Sequence, residues 1–308
     1  MANEFIGLGG NTDNVTVNDE TRTVEIPVTD NVEERQPTPP SEIEVHVEDQ
    51  TAPIILLFGA TTSGKSMTLV RLAKYLRKKN YRITVDMNFC TNAWEYKENA
   101  RRFNDMLGTT RALKGTDRND FLFIKIEDSR GTTVCQILEG AGEDYFPSKS
   151  IEGFNRSNIP FPPYMATVFG GDNKKIWAFL TEPDWAVPHN DKLEYVERIR
   201  YCKQQHTGGR DKFIILYNKV DKRGFAIDKT SVHTKNAIKA CSNEYSGLFE
   251  IFRNNSPLPW SRDYLCEFVP FSTGIYGLHA PGELAPYTPS NDVHPATLWA
   301  TILKCIKG

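Results

Sequence analysis

From Pro53 onward the chain alternates short runs of consecutive apolar residues with longer stretches where apolar residues return every three or four positions. Ile54 to Phe58 is apolar throughout, the pattern of a parallel strand buried on both faces. In Met67 to Lys79, Leu69, Leu72, Ala73 and Leu76 share one face, which predicts a helix. Tyr81 to Phe89 reads as a further strand and Asn92 to Leu107 as a helix. Phe121 to Asp128 and Thr132 to Glu139 alternate apolar and polar residues around Ser129-Arg130-Gly131, a β-hairpin pattern. Lys175 to Thr181 is a strand, and Asp191 to Gln205 a helix with Leu193, Val196 and Ile199 inward. Phe213 to Tyr217 and Leu265 to Phe271 are strands, residues 231–252 are largely helical, and Pro295 to Lys307 closes the chain as a helix. Strands alternating with helices predict an α/β fold with helices on both faces of the sheet.

Residues 1–50 differ in kind. They carry twelve acids against Arg22 and Arg35, a net of -10, so the remainder carries +8 of the overall -2. With prolines at 37, 39 and 40, this segment reads as an acidic, disordered arm, or as one that folds back on the basic body or recruits a partner. Its Val24/Ile26/Val28 and Ile43/Val45/Val47 alternations leave loose edge strands as the other option. Residues 51–308 are then the folded domain. The six cysteines (90, 135, 202, 241, 266 and 305) form no CxxC pair, so metal-ligand spacing is absent and reduced core thiols are expected. No window approaches the roughly 18 to 20 apolar residues of a membrane span and no signal peptide is visible; the expectation of a cytoplasmic protein comes from the reduced thiols. A charge of +8 over the body is a weak signal for nucleic acid.

The chemistry concentrates at strand ends. Gly59-Ala-Thr-Thr-Ser-Gly64-Lys65-Ser66 fits G-x-x-x-x-G-K-[ST] between an apolar strand and a helix, the setting in which backbone N–H groups cradle a nucleoside triphosphate. Gly59, Thr61, Thr62, Ser63, Gly64, Lys65, Ser66 and Met67 are the candidate phosphate-binding residues. Lys65 reaches the β- and γ-phosphates, Ser66 ligates Mg²⁺, and Gly64 leaves room for the phosphate. Asn218-Lys219-Val220-Asp221 follows the strand ending at Tyr217, where open α/β sheets bind ligands. An Asp221 carboxylate accepts from guanine N1–H and the 2-amino group. Adenine would leave a buried Asp221 unpaired, a discrimination on the order of 10⁴. Asn218 can bridge the base and the glycine-rich loop, and Lys219 can lay its stem over the ring. Ser272 and Thr273, after the strand ending at Phe271, can offer a backbone N–H to guanine O6.

In this order the motifs resemble those of the Ras-like GTPases of the translation-factor-related P-loop class, over residues 53–308. That resemblance implies a P-loop NTPase three-layer sandwich, mostly parallel with one antiparallel hairpin strand, and GTP/GDP with Mg²⁺ as ligands. It also implies GTP hydrolysis as a molecular switch and a protein effector or activating partner. By the same resemblance Glu139-Gly140-Ala141-Gly142-Glu143 stands where the family has Asp-x-x-Gly and a water-orienting residue. Glu139 then holds a metal-bound water, Gly142 meets the γ-phosphate, and Glu143 orients water, acts as a base, or is simply a first-turn helix acid. Thr116 has the place of the Mg²⁺-capping switch threonine, with Thr109 and Thr110 as competitors. Arg111, Arg118 and Arg156 are candidates for an internal arginine finger or are solvated charges. Thr61 stands where Ras has Gly, and by crowding an inserted arginine finger it implies slow hydrolysis or another geometry. The extra strand and helix near 81–107 resemble the bacterial double-GTPase group. A GTP-binding scaffold without efficient hydrolysis and an ATPase or kinase are the competing functions.

Overall fold

The computed structural model describes residues 36–108, 121–150, 153–183, 185, 187, 189–222, 227–228, 231–232, 234–254, 263–277 and 286–308. Its strands are β1 (Ile54–Phe58), β2 (Arg82–Val85), β3 (Leu122–Glu127), β4 (Thr133–Glu139), β5 (Lys175–Thr181), β6 (Lys212–Tyr217), β7 (Ile227–Asp228), β8 (Ser231–Val232), β9 (Glu267–Pro270), β10 (Gly274–Tyr276) and β11 (Tyr287–Pro289). Its α-helices are α1 (Lys65–Lys78), α2 (Trp94–Gly108), α3 (Gly142–Tyr145), α4 (Pro163–Gly170), α5 (His189–His206), α6 (Thr234–Glu244) and α7 (Val293–Lys307).

Seven strands form one sheet in the order β2-β3-β4-β1-β5-β6-β9. β1 pairs in parallel with β4 and β5, and the parallel run continues through β6 to β9. β3 is antiparallel to both β2 and β4. The reversal before β4 is a local turn: the Asp128 carboxylate accepts from the N–H groups of Arg130 and Thr132, and Gly131 takes φ 80°. Side chains of the buried strands alternate between two cores. Ile54, Leu56 and Phe58 face one, with Met165, Val196, Ile199 and Cys241 from α4, α5 and α6. Ile55 and Leu57 face the other, with Leu72 of α1, Phe103 of α2 and Ile302 of α7. This is the expected α/β sandwich, with helices on both faces of a mostly parallel sheet.

Several sequence expectations shift. The strand expected to reach Phe89 ends at Val85, because Asp86 caps a turn by accepting from Asn88 N–H. Leu193 is exposed; the inward stripe of α5 is Tyr195, Val196, Ile199 and Cys202. The helix expected over 231–252 stops at Glu244, and Gly247 (φ 80°) separates it from a 3₁₀ turn at Phe249–Phe252.

The largest change concerns the arm expected over residues 1–50. Pro37–Gly308 forms one compact unit, so its last stretch belongs to the body. Ile43 and Val47 are buried in the first core, each contributing roughly 1.5–3 kcal/mol over an exposed position. The Thr38 N–H and hydroxyl both donate to Glu95 (2.6 and 2.9 Å), and His46 N–H donates to the Phe89 carbonyl (2.8 Å). Gln136 and Asn173 donate to the Asp49 carbonyl (2.9 and 2.8 Å). Ile43, Val45 and Val47 belong to no strand. Val24, Ile26 and Val28 lie outside the described residues. All six cysteines are free, and five are buried. Among the described residues no helix is long and apolar enough to cross a membrane.

Candidate functional site

The parallel strands β1, β4, β5, β6 and β9 deliver five loops to one edge of the sheet. These begin at Gly59, Gly140, Glu182, Asn218 and Phe271. The first is the glycine-rich loop. Thr62 and Gly64 take left-handed backbone conformations (φ 65° and 89°), which turn the chain from β1 into α1. A Cβ at Gly64 would lie 2.5 Å from Asn218 Nδ2. The glycine therefore makes room for the Asn218 side chain, where the sequence suggested room for a phosphate alone. Lys65 is buried and donates to the Gly59 and Ala60 carbonyls (3.0 and 3.2 Å). Burial lowers its ammonium to about 8, against the opposing pull of Glu139, Asp144 and Glu143. Met67 packs inward from the first turn of α1.

The Ser66 hydroxyl donates to Glu139 at the end of β4, and Glu139 is itself buried. Two hard oxygen donors thus meet beside Lys65. Such a pair suits Mg²⁺, which takes one or two protein oxygens and completes its shell with water and phosphate. Among the described residues no three His, Cys, Asp or Glu side chains cluster as a self-contained metal cage.

The next loop closes on the first. A Cβ at Gly142 would stand 2.3 Å from Thr61 N and 2.4 Å from Thr61 Cα, so only glycine permits this approach. The Thr61 hydroxyl then donates to Glu143 Oε1 (3.2 Å), and the Ser148 N–H donates to Glu143 Oε2 (2.8 Å). Asp144 accepts from the buried Tyr164 hydroxyl (2.7 Å). The Tyr145 carbonyl accepts from Arg198 Nε (2.7 Å), which ties α3 to α5.

On the other side of the loop, Asn218 Nδ2 donates to the Ser63 carbonyl (2.9 Å) and Lys219 Nζ to the Thr62 carbonyl (2.6 Å). Asn218 is fully buried, and its Oδ1 has no hydrogen-bond partner. Lys219 adopts φ 55°, a left-handed conformation uncommon for a side-chain-bearing residue. Asp221 is exposed on a 3₁₀ turn and accepts from the Ser272 hydroxyl. The expectation of a buried Asp221 is thus corrected: the turn leaves the residue exposed, with its carboxylate tied to the hydroxyl of the buried Ser272. Ser272 and Thr273 are buried. Ser290 holds them, donating its hydroxyl to the Ser272 carbonyl (2.6 Å), and Arg71 of α1 donates to the Ser290 carbonyl (2.7 Å).

One residue of this constellation escaped the sequence reading. Glu182, directly after β5, is buried and pairs with Lys219 (2.5 Å) and Lys222 (3.5 Å). Its N–H and C=O are both engaged by the Tyr245 hydroxyl. The available signal was positional: a carboxylate one residue beyond a buried, largely apolar parallel strand, at the ligand-binding edge. Thr116, Thr109, Thr110, Arg111 and Arg118 lie outside the described residues. Arg156 is engaged away from the loop, with Asp191 (3.0 Å), Glu194 (3.3 Å) and the Phe146 ring (4.2 Å).

Fold and site together define an α/β protein whose glycine-rich strand-to-helix loop is flanked by a carboxylate-bearing loop on one side and an Asn-Lys-x-Asp loop on the other. No protein-family model matches the chain, and no curated protein matches it. Among solved structures it is similar to a bacterial selenocysteine-specific elongation factor EF-Sec, at 13% identity and a TM-score of 0.35. The match covers 83% of this chain and 29% of that one. A likeness that loose carries no argument about this chain, so the site stands on its own geometry.

Proposed function

We propose that the protein is a Ras-like GTPase that binds GTP and GDP with Mg²⁺ and hydrolyses GTP as a molecular switch. The observation that carries this reading is the docking of the Asn218–Asp221 loop on the glycine-rich loop. The Ser63 and Thr62 carbonyls are held by Asn218 and Lys219, so a base beside Asp221 and phosphates on the loop fall to one continuous surface. Asp221 reads the guanine N1–H and 2-amino group, Lys219 lines the base, and Ser272 and Thr273 bound its far side. Gly59 to Met67 hold the phosphates. Ser66 and Glu139 are the described residues that would hold Mg²⁺, which neutralises phosphate charge when bound. Glu143 accepts a hydrogen bond from the attacking water. The water oxygen bonds to the γ-phosphorus, the bond to the β–γ bridging oxygen breaks with its electron pair leaving on GDP, and the water proton passes to the phosphate product.

Two measurements test the reading. Purified protein should retain GDP, and GDP should displace a fluorescent guanine nucleotide at concentrations where ADP does not; equal displacement by ADP ends the guanine assignment. Single-turnover hydrolysis of bound GTP should exceed the uncatalysed background. Its absence, with binding intact, favours the second reading of a GTP-binding scaffold, which the longer Glu139 seated directly on Ser66 supports.

Glu182 adds a further expected result. Its carboxylate fixes the Lys219 ammonium, so Glu182→Gln should speed GDP dissociation about tenfold, the scale of one charge-assisted hydrogen bond. GTP and GDP should be affected alike, and the hydrolysis step unchanged. Stopped-flow release of fluorescent GDP reads the effect; wild-type release would show that Lys219 needs no such anchor.

A further inference from the structure

Thr61 is the residue of the glycine-rich loop that the sequence marks as an obstacle, and its contacts say otherwise. Its backbone lies against Gly142 with no room for a Cβ, and its hydroxyl donates to Glu143 Oε1 at 3.2 Å. The other carboxylate oxygen accepts the Ser148 N–H at 2.8 Å. Both oxygens of Glu143 are therefore held, one from the loop and one from the segment that follows α3. An ionised carboxylate offers about four lone-pair sites, so two remain to accept from a water molecule. A glutamine there would place its oxygen on the Ser148 N–H and its amide N–H₂ on the Thr61 hydroxyl, reversing the direction of the Thr61 bond.

We infer that Thr61 is a positioning residue for hydrolysis, its hydroxyl aligning the Glu143 carboxylate toward the attacking water. This rests on the GTPase reading above. Holding the water's acceptor in one orientation supplies part of the rate by pre-organisation, and loss of one such alignment is of the order of tenfold or more.

The test uses the full chain and single-turnover GTP hydrolysis. Thr61→Val keeps the shape and removes the hydroxyl. At saturating nucleotide, so that affinity does not enter the rate, it should slow hydrolysis about tenfold or more. Thr61→Ser restores the donor and should recover most of the rate, and Thr61→Gly should be as slow as Thr61→Val. In a Glu143→Ala background Thr61→Val should change nothing further, because the two act as a unit. Wild-type or faster hydrolysis by Thr61→Val and Thr61→Gly overturns the inference, restores the obstacle reading and leaves the GTPase assignment intact. A full, additive loss in the Glu143→Ala background also overturns it, because Thr61 would then act without Glu143. A wild-type protein that binds GTP without hydrolysing it overturns the GTPase reading and this inference with it.

Discussion

Replacing Asp221 by Asn should turn a guanine-nucleotide binder into a xanthine-nucleotide binder. The carboxylate accepts two hydrogen bonds from guanine in the proposed complex, each worth about 1.5–3 kcal/mol for a charged acceptor. An amide keeps one acceptor and sets its N–H₂ against the guanine 2-amino group. GDP affinity should therefore fall about 10²- to 10⁴-fold. Xanthine carries an oxygen where guanine carries that amino group, so the amide donor finds an acceptor and xanthosine diphosphate should bind better than GDP. The fold should tolerate the change, because Asp221 is exposed and an amide oxygen also accepts from the Ser272 hydroxyl. Competition of the two diphosphates against a fluorescent guanine nucleotide measures the inversion. An unchanged preference would mean that Asp221 does not read the base.

Gly142→Ala carries the second large effect. Its Cβ would fall 2.3 Å from Thr61 N, 2.4 Å from Thr61 Cα and 2.7 Å from Ala60 C, all backbone atoms. Backbone cannot rotate aside as a side chain can, so the two loops must part. Overpacking of this kind costs about 1–3 kcal/mol, and the melting temperature should drop by roughly 3–10 °C. Glu143 moves with the parted loop, and a displacement near 1 Å at a reacting group costs about 10²-fold in rate. Hydrolysis should fall by at least that factor while GDP stays bound within several-fold. Gly140→Ala is the control: its Cβ would meet the Tyr164 hydroxyl and Tyr145 ring at 3.1–3.3 Å, side chains that can give by tenths of an ångström. Wild-type hydrolysis by Gly142→Ala would separate the close approach from the chemistry.

Much of this fold was legible because its signals are local. β1 and β5 are apolar at nearly every position and bounded by the residues that end them, and α1 carries a stripe at helical spacing. The glycine-rich loop, Asn218–Asp221 and Ser272-Thr273 were found for the same reason, since each follows a buried strand. What stayed hidden depends on partners far along the chain. Ile43 and Val47 sit among acids and prolines, so their surroundings read as unstructured. They are buried because Gln136, Asn173 and Glu95 anchor the neighbouring backbone from elsewhere. Glu182 looked like an ordinary acid after a strand until Lys219 met it. Thr61 looked like an intrusion because only the sheet order brings Glu143, 82 residues later, to its hydroxyl. The exposure of Asp221 was equally invisible, being set by a 3₁₀ turn whose direction four letters do not reveal.

If the proposed nucleotide binds, the two bonds from Asn218 and Lys219 to the Ser63 and Thr62 carbonyls would couple its base end to its phosphate end. A ligand that favours this arrangement of the Asn218–Asp221 loop would favour that of the loop beside it, and the reverse would hold by the same factor. Guanosine, with no phosphate at all, would then tighten the grip on pyrophosphate exactly as much as pyrophosphate tightens the grip on guanosine. A whole nucleotide would draw on that reciprocity in every binding event, holding both its ends more firmly than two separate subsites would.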